Sequence, residues 1–204
     1  MTHEFDEAYW QEHWQQRPPA EAADLRPIEP NPYLLRETAD LAVGTALDAG
    51  CGEGDEAIWL AASGWQVTGA DISITALVRA ADRASGASRG MQLRWIEADL
   101  TQWEPQECFD LVTTFYAHPS MPQLAFYERI SQWVAPGGTL LIVGHLHDSG
   151  HPGEASVTAA QIVASMDPQL WAIVTSEESE RAVVSPSGTQ QQLRDVIVRA
   201  GRVP

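Results

Sequence analysis

The stretch LDAGCGEGDE, Leu47 to Glu56, constrains the fold more than any other feature of this 204-residue chain. Three glycines stand at alternate positions directly after a short apolar run, with acidic residues on both sides. Glycine permits positive φ angles and a close approach to the backbone, so the pattern predicts a tight turn against which a ligand lies. A helix that begins near Asp55 would direct its free N–H groups toward this turn.

Short apolar runs alternate with segments of helical periodicity from residue 45 to about residue 145. The strand candidates are TALDA, WQVTGAD, QLRWIEAD, FDLVTTFYA and GGTLLIVGH, with a Pro136–Gly138 turn that stops a helix and begins the fifth strand. Such alternation favours parallel βαβ units. Two extended runs beyond residue 170, on either side of Ser185–Gly188, predict a terminal hairpin.

Residues 1–30 differ in character from the rest of the chain. Tyr9, Trp10 and Trp14 have helix-like spacing, and the following segment RPPAEAADLRPIEPNP cannot sustain a helix interior. We therefore predict an N-terminal aromatic helix and linker over residues 1–30, on the substrate side, and one ligand-binding domain over residues 31–204. The three rings either fold over a bound cofactor or anchor the helix on the core.

The charge balance limits the partners that the protein can have. Twelve Lys and Arg stand against 28 Asp and Glu, a formal net charge of -16, which repels phosphate backbones and anionic membranes. The acidic, aromatic N-terminus lacks the features of a signal peptide, and no apolar run approaches about 18 residues. We expect a soluble cytoplasmic protein with no nucleic-acid or membrane partner, and free thiols at Cys51 and Cys108.

The charges around the glycine turn separate two nucleotide-binding hypotheses. A dinucleotide-binding GxGxxG pattern that starts at Gly50 requires a third glycine at position 55, where the chain has Asp55. A pyrophosphate also requires a helix N-terminus without negative charge, whereas Asp48, Glu53 and Glu56 surround this one. The turn therefore suits a cationic ligand better than a phosphate.

The DxGxGxG segment resembles motif I of the class I S-adenosylmethionine-dependent methyltransferases, whose cofactor carries a sulfonium and an ammonium and no phosphate. The resemblance covers about residues 31–200, with motif I and the Pro136–Gly138 turn as its most specific parts. It implies an α/β fold, a three-layer Rossmann-like domain with a mostly parallel seven-stranded sheet ending in an antiparallel hairpin. The chain is similar in size to small tellurite-resistance and thiol methyltransferases, which implies a small-molecule acceptor.

The resemblance also implies which residues bind S-adenosylmethionine. Asp71, at the end of the second strand, corresponds to the acid that holds the ribose hydroxyls, and a carboxylate can accept both. Asp99 corresponds to the acid that pairs with the adenine amino group, and Leu100 covers the ring. Taken alone, each acid could also be a helix cap or a solvated loop residue. The complete predicted cofactor set is Asp48, Gly50, Cys51, Gly52, Gly54, Asp71, Ile72, Asp99, Leu100 and Phe115.

Two residues after the fourth strand are candidates for catalysis. His118 lies in the loop FYAHPSMP, with Tyr116 as a second polar group, and either faces the substrate or is an ordinary loop residue. A thiolate or reduced metalloid needs no strong base, whereas a hydroxyl or protonated amine must lose its proton. The acceptor is therefore left open among thiol, metalloid, amine and hydroxyl.

A second histidine cluster, GHLHDSGH, follows the fifth strand and contains His145, His147 and His151. Alternate histidines can share a metal, but no further acid or histidine stands at a matching spacing. We predict no metal site and interpret the cluster as a pocket lining or a solvated loop. The substrate pocket is predicted from residues 1–30, 116–124 and 145–158.

Two other functions remain compatible with the turn. One is an NAD(P)-dependent oxidoreductase that uses the same glycines, and the other is a non-catalytic protein that binds the cofactor without turning it over. The missing third glycine of the dinucleotide pattern and the acids around the turn disfavour the oxidoreductase.

Overall fold

The computed structural model describes residues 5–17, 30–86, 92–146, 157–184 and 190–204. Within these ranges the chain forms six helices and seven strands. None of these helices is long and apolar enough to cross a membrane. The helices are α1 (Glu7–Gln16), α2 (Pro32–Thr38), α3 (Asp55–Ala62), α4 (Ile74–Gly86), α5 (Gln123–Ser131) and α6 (Ala159–Ser165). The strands are β1 (Thr45–Ala49), β2 (Gln66–Asp71), β3 (Gln92–Glu97), β4 (Phe109–Phe115), β5 (Val134–His145), β6 (Trp171–Val184) and β7 (Gln190–Arg202).

The strands form one seven-stranded sheet in the order β3-β2-β1-β4-β5-β7-β6. The first five strands pair in parallel, and β7 runs antiparallel to both β5 and β6. This confirms the predicted mostly parallel sheet and its antiparallel hairpin. The predicted hairpin turn, Ser185–Gly188, lies outside the described residues.

The prediction for Pro136–Gly138 is wrong in one respect. These residues lie inside β5, which begins at Val134, rather than in a turn that precedes the strand. The pairing of β4 with β5 shifts register between Phe109 and Leu111, so the sheet accommodates the proline and glycines at an irregularity. Helix α5 ends at Ser131, before this segment begins.

Both faces of the sheet are covered, which gives the three layers that the sequence predicts. Alternate residues of β1 enter different cores, because successive side chains of a strand point to opposite faces. Ala46 packs with residues of α2 and α3, and Leu47 packs with residues of α5 and α6. Strands buried on both faces account for the continuous apolar runs in the sequence.

The sheet reverses its direction of growth between β1 and β4. From β1 the chain adds β2 and β3 on one side and then returns to add β4 and β5 on the other. The loops after β1 and β4 meet at this point, where a Cβ on Gly50 would lie 2.4 Å from the Cβ of Ala117. In open α/β sheets such a crevice, at the carboxyl ends of the strands, is where ligands bind.

Trp95 of β3 connects the sheet to the glycine turn. A Cβ on Gly69, in the neighbouring strand β2, would lie 2.4 Å from the Trp95 ring. A Cβ on Gly54, at the N-terminus of α3, would lie 2.5 Å from the same ring. The half-buried indole therefore occupies space that two glycines leave open, and it sets the distance between β2 and the start of α3.

We expect Gly69→Ala to lower the free energy of unfolding by about 1 to 3 kcal/mol, because the new methyl group overpacks the Trp95 ring. Urea denaturation of both proteins measures the difference. In a Trp95→Leu background the same substitution should lower the free energy of unfolding by a smaller amount, and a double-mutant cycle detects the difference. An equal cost in both backgrounds would show that the indole is not the obstacle.

Candidate active site

The three alternate glycines form a turn that side chains could adopt only with strain. Gly50, Gly52 and Gly54 have φ angles of 79°, 51° and 79°. The turn is tied to the adjacent strand, because the backbone N–H groups of Gly50 and Cys51 both donate to the Ala70 carbonyl, at 2.8 and 3.1 Å. The predicted bare turn is thus present directly after β1.

Asp71, the last residue of β2, is bonded to the glycine turn. Its Oδ2 accepts from the Gly52 N–H at 2.8 Å, and its Oδ1 accepts from the Ser73 N–H at 2.9 Å. Burial raises the pKa of Asp71, and these backbone donors offset part of the rise. Each carboxylate oxygen keeps a second lone pair, so the group can still accept hydrogen bonds from a ligand hydroxyl.

Asp48, the fourth residue of β1, is almost completely buried, with 1% of its surface exposed. The Thr113 hydroxyl donates to its Oδ1 at 3.0 Å, while its Oδ2 has no hydrogen-bond partner. Burial raises the pKa of Asp48 well above its ordinary value, and the charge of Glu56 raises it further. Burial, followed by the charge of Asp55, also raises the pKa of Glu56.

The acids around the turn form two groups. In the first group, each acid has an arginine partner: Arg79 pairs with Glu53 at 2.9 Å, and Arg83 pairs with Asp55. We call Asp48, Glu56 and Asp71 the inner acids. Among the residues that the structure describes, no arginine lies within ion-pair distance of any inner acid. Among the described residues, the inner acids therefore have no arginine ion pair that would neutralise them.

Asp99 lies two residues beyond the end of β3, and its side chain bonds within its own loop. Oδ1 accepts from the backbone N–H and the hydroxyl of Thr101, and Oδ2 accepts from the Gln102 amide at 2.8 Å. Burial raises the pKa of Asp99, but these hydrogen bonds and the charge of Arg129 outweigh it and lower the pKa overall. Asp99 is therefore an ionised acceptor.

One cavity of about 450 Å³ brings the predicted residues together, a size common for small-molecule sites. All ten residues predicted to bind the cofactor line it, and so do Tyr116, His118 and His145. They meet because they end or follow β1 to β5, whose carboxyl ends share one edge of the sheet. His147 and His151 lie outside the described residues. Within the described ranges no His, Cys, Asp or Glu cluster suits a metal.

Helix α1 lies over this cavity. The Trp10 indole N–H donates to the His118 carbonyl at 3.0 Å, and Gln11 Oε1 accepts from the Ser73 hydroxyl at 2.8 Å. Trp14 lies 3.0 Å from the Cβ position of Gly52, and Trp10 and Trp14 line the cavity. No residue of α1 is fully buried. Trp10 and Trp14 thus lie at the pocket, and their place over a bound cofactor stays a prediction.

Tyr116 has the one positive φ angle, 55°, among the described residues other than glycine. Such strain concentrates at functional sites. Its hydroxyl oxygen accepts hydrogen bonds from Asn31 Nδ2 at 3.0 Å and from Arg181 Nη2 at 2.9 Å. Burial and the charge of Asp195 raise the pKa of Tyr116 to about 12. The phenol therefore stays protonated at neutral pH.

Sequence reasoning missed the residues that support Tyr116. Arg181 of β6 contacts both Tyr116 and Asp195 of β7, with its Nε 2.5 Å from Asp195 Oδ2. The signal for Asp195 was an acid directly before the apolar run Val196–Val198, which is unusual for a buried strand. Nothing in the local sequence around Asn31 or Arg181 distinguishes them from a helix cap or a surface charge.

The chain is similar in sequence to known methyltransferases. Residues 46–138 match the family described as a methyltransferase domain. The chain is 29% identical over 190 residues to probable thiol methyltransferase 2 of Arabidopsis thaliana, covering 89% of this chain and 81% of that protein. Thiocyanate methyltransferase 1 of Brassica oleracea is 26% identical over 163 residues, 77% of this chain and 71% of that protein.

The fold is shared with solved methyltransferases. The N-methyltransferase NodS from Bradyrhizobium japonicum WM9, solved in complex with S-adenosyl-l-homocysteine, superposes with a TM-score of 0.69 at 21% identity. The match covers 98% of this chain and 99% of that one. The domain match includes the glycine turn, and the two similar plant proteins are matched along most of their length. Together these similarities support a class I S-adenosylmethionine-dependent methyltransferase.

Proposed function

We propose that this methyltransferase acts on a small sulfur nucleophile, a thiol, in the cavity between the glycine turn and α1. The observation that carries the cofactor end of this proposal is the set of inner acids, which have no cationic partner among the described residues. The acceptor class is supported by the names of the similar proteins, a probable thiol methyltransferase and a thiocyanate methyltransferase.

The inner acids fit a cofactor that carries positive charge. Asp48 Oδ2 is buried without a partner, a costly arrangement that a cationic ligand would relieve. When bound, S-adenosylmethionine supplies a methyl group activated by its positively charged sulfur. We assign Asp71 to the ribose hydroxyls and Asp99 with Leu100 to the adenine. The remaining cofactor contacts are assigned to Asp48, Gly50, Cys51, Gly52, Gly54, Ile72 and Phe115.

The acceptor is proposed to bind at the wall formed by α1 and the loop after β4. Transfer from a sulfonium is an in-line displacement, so the protein's main task is to align the reactants in a pocket without water, which is worth about 7 to 11 kcal/mol. Phe5 and Trp10 supply apolar surface there, next to His118. We propose that residues 1–30 form this substrate-side cover and that residues 31–204 form the cofactor-binding domain.

We propose that Tyr116 orients the acceptor as a hydrogen-bond donor. Asn31 and Arg181 already donate to its oxygen, so the two acceptor positions of the phenol are taken. Its own hydrogen remains for another acceptor, and its raised pKa keeps that hydrogen in place. A negatively charged sulfur beside the phenol would accept this hydrogen bond.

Of the other two hypotheses, the NAD(P)-dependent oxidoreductase is not retained. A pyrophosphate on the turn would lie against the inner acids, none of which forms an ion pair with a described arginine. The non-catalytic alternative differs from the proposal only in turnover, so an assay distinguishes them.

We expect micromolar binding of S-adenosylmethionine and no measurable binding of NAD in isothermal titration. Incubation with thiols, amines, hydroxyl compounds and metalloid oxyanions, followed by detection of S-adenosylhomocysteine, should show turnover with thiols. Turnover with amines or hydroxyl compounds only would contradict the acceptor class. Binding without turnover on the whole panel would favour the non-catalytic alternative.

Asp71→Ala should weaken binding of S-adenosylmethionine by about 1.5 to 3 kcal/mol, because a charged acceptor of hydroxyl groups is lost. This corresponds to roughly 10- to 150-fold in the dissociation constant. Asp82→Ala, which removes an exposed acid from α4, is the matched control and should leave the constant unchanged. Equal constants for the Asp71 variant and the wild type would remove Asp71 from the cofactor site.

Asp48→Asn should stabilise the cofactor-free protein and weaken cofactor binding at the same time. The folded-state pKa of Asp48 is raised, so the folded state binds the proton more tightly than the unfolded state. This carboxyl therefore lowers the free energy of unfolding as pH rises from the ordinary aspartate range through the raised value, and an amide removes that dependence.

Thermal unfolding with and without S-adenosylmethionine, at several pH values, measures both effects of Asp48→Asn. The melting temperature of the cofactor-free variant should exceed that of the wild type at neutral pH and approach it in acid. The shift caused by the cofactor should be smaller in the variant. A less stable cofactor-free variant would mean that the charge of Asp48 is already compensated within the protein.

A further inference from the structure

We infer that His145, positioned by Asp195, accepts the proton of the thiol acceptor, an inference that rests on the proposed function. His145 is the last residue of β5 and lines the cavity. Asp195 lies directly opposite it in the antiparallel pairing of β5 with β7. Residues that face each other in this way have neighbouring side chains, so the register of the sheet itself forms the pair.

Asp195 is placed to accept a hydrogen bond from the His145 ring. The residue is completely buried, with 0% of its surface exposed, and its Oδ1 lies 3.6 Å from His145 Nδ1. This separation is slightly longer than a hydrogen bond, and Oδ1 has no hydrogen-bond partner in the described part of the chain. A small rotation of the ring would close the contact, and catalytic hydrogen bonds are often long before the substrate binds.

The charge of Asp195 is maintained by its neighbours. Burial raises its pKa, but the proximity of His145 and the bond from Arg181 outweigh this effect and lower the pKa overall. An ionised carboxylate beside Nδ1 favours the tautomer that carries its hydrogen on Nδ1 and a lone pair on Nε2. It also stabilises the imidazolium that forms when the ring takes up a proton.

The His145 ring also contacts the Tyr116 ring, which limits the orientations that it can adopt. It stacks on the Tyr116 ring, with centroids 4.1 Å apart and an interplanar angle of 20°. Arg181 bridges Tyr116 and Asp195, so the stacking partner and the carboxylate are held by one guanidinium. Among the described residues, the charged and titratable groups around His145 include Asp195 from β7, Arg181 from β6, and Tyr116 and His118 from the loop after β4.

His118 is the competing candidate, since its ring also lines the cavity and lies 6.5 Å from that of His145. Its ring stacks on Phe5, at 5.6 Å, and its carbonyl accepts from Trp10. These contacts join His118 to α1, whereas His145 lies beside a buried carboxylate, 3.6 Å from its Oδ1. We therefore assign the proton to His145 and treat Asp195 as a positioning residue.

The proposed transfer requires only the thiol, the cofactor and His145 as proton acceptor. The thiol proton moves to His145 as the sulfur electron pair forms a bond to the methyl carbon, because the thiolate is the nucleophile. The bond between that carbon and the sulfonium breaks, and its electron pair stays on the cofactor sulfur. The products are a methyl thioether, S-adenosylhomocysteine and an imidazolium, which returns its proton to solvent.

The test compares kcat/KM of His145→Gln, Asp195→Asn and His118→Gln with the wild type across pH. The acceptors are an alkanethiol, which is protonated below its pKa, and an electron-poor aromatic thiol, which is ionised throughout. For the alkanethiol at neutral pH, we expect His145→Gln to lose about 100-fold or more. The loss should shrink as pH rises through the pKa of the thiol, and it should be absent for the ionised thiol.

Asp195→Asn should show the same dependence with a smaller loss, since the base remains but its orientation weakens. A uniform loss with both acceptors and at every pH would indicate a structural role and overturn the assignment. The same pH-dependent loss in His118→Gln alone would assign the proton to His118 instead. Should Asp195→Asn fail to fold, as checked by circular dichroism, the contrast between the two histidine variants decides the question.

Failure of the proposed function gives a different result. If the wild type transfers methyl groups to amines or hydroxyl compounds and to neither thiol, both the acceptor class and this role of His145 are wrong. If the wild type methylates both thiols and the His145 variant retains full activity with each, only the role of His145 is wrong. The two inferences therefore fail separately.

Discussion

The burial of unpaired negative charge against a bare backbone turn is the constraint on which this protein depends. Burial raises the pKa values of Asp48, in β1, and of Glu56, in the first turn of α3; the charge of Glu56 raises the pKa of Asp48 further, and the charge of Asp55 raises that of Glu56 further. Such an arrangement destabilises the folded chain unless something cationic offsets it. The protein tolerates this cost because the rest of the sheet supplies two continuous cores, one on each face.

The strand order then decides what lies next to that charge. Growth of the sheet in both directions from β1 places the loops after β1 and β4 in contact, at Gly50 and Ala117. The reversed strand β7 lies against β5 and brings Asp195 to the end of the strand that carries His145. One edge of the sheet thus holds the inner acids, which have no arginine ion pair among the described residues, and the Asp195 carboxylate, which Arg181 binds.

The parts of the site that the sequence predicts are those that local spacing determines. The glycine turn, Asp71 and Asp99 each follow directly from the end of a strand, so their positions at one edge of a parallel sheet could be expected. The pairing of His145 with Asp195 depends on the register of two strands about 50 residues apart, which no local pattern encodes. The placement of Pro136 inside β5 depends likewise on an irregularity in the pairing with β4.

The net charge of the protein gives a reason for forming the thiolate inside the cavity. With a formal charge of -16, the chain attracts a cationic cofactor and repels a preformed anion in solution. A neutral thiol is not repelled by this charge when it enters the cavity. Once His145 holds the proton, the resulting thiolate lies beside an imidazolium and the phenol of Tyr116, both of which stabilise it. In this proposal the acidic charge of the protein attracts the cationic cofactor, and the histidine base forms the anionic thiolate only after the neutral thiol has entered the cavity.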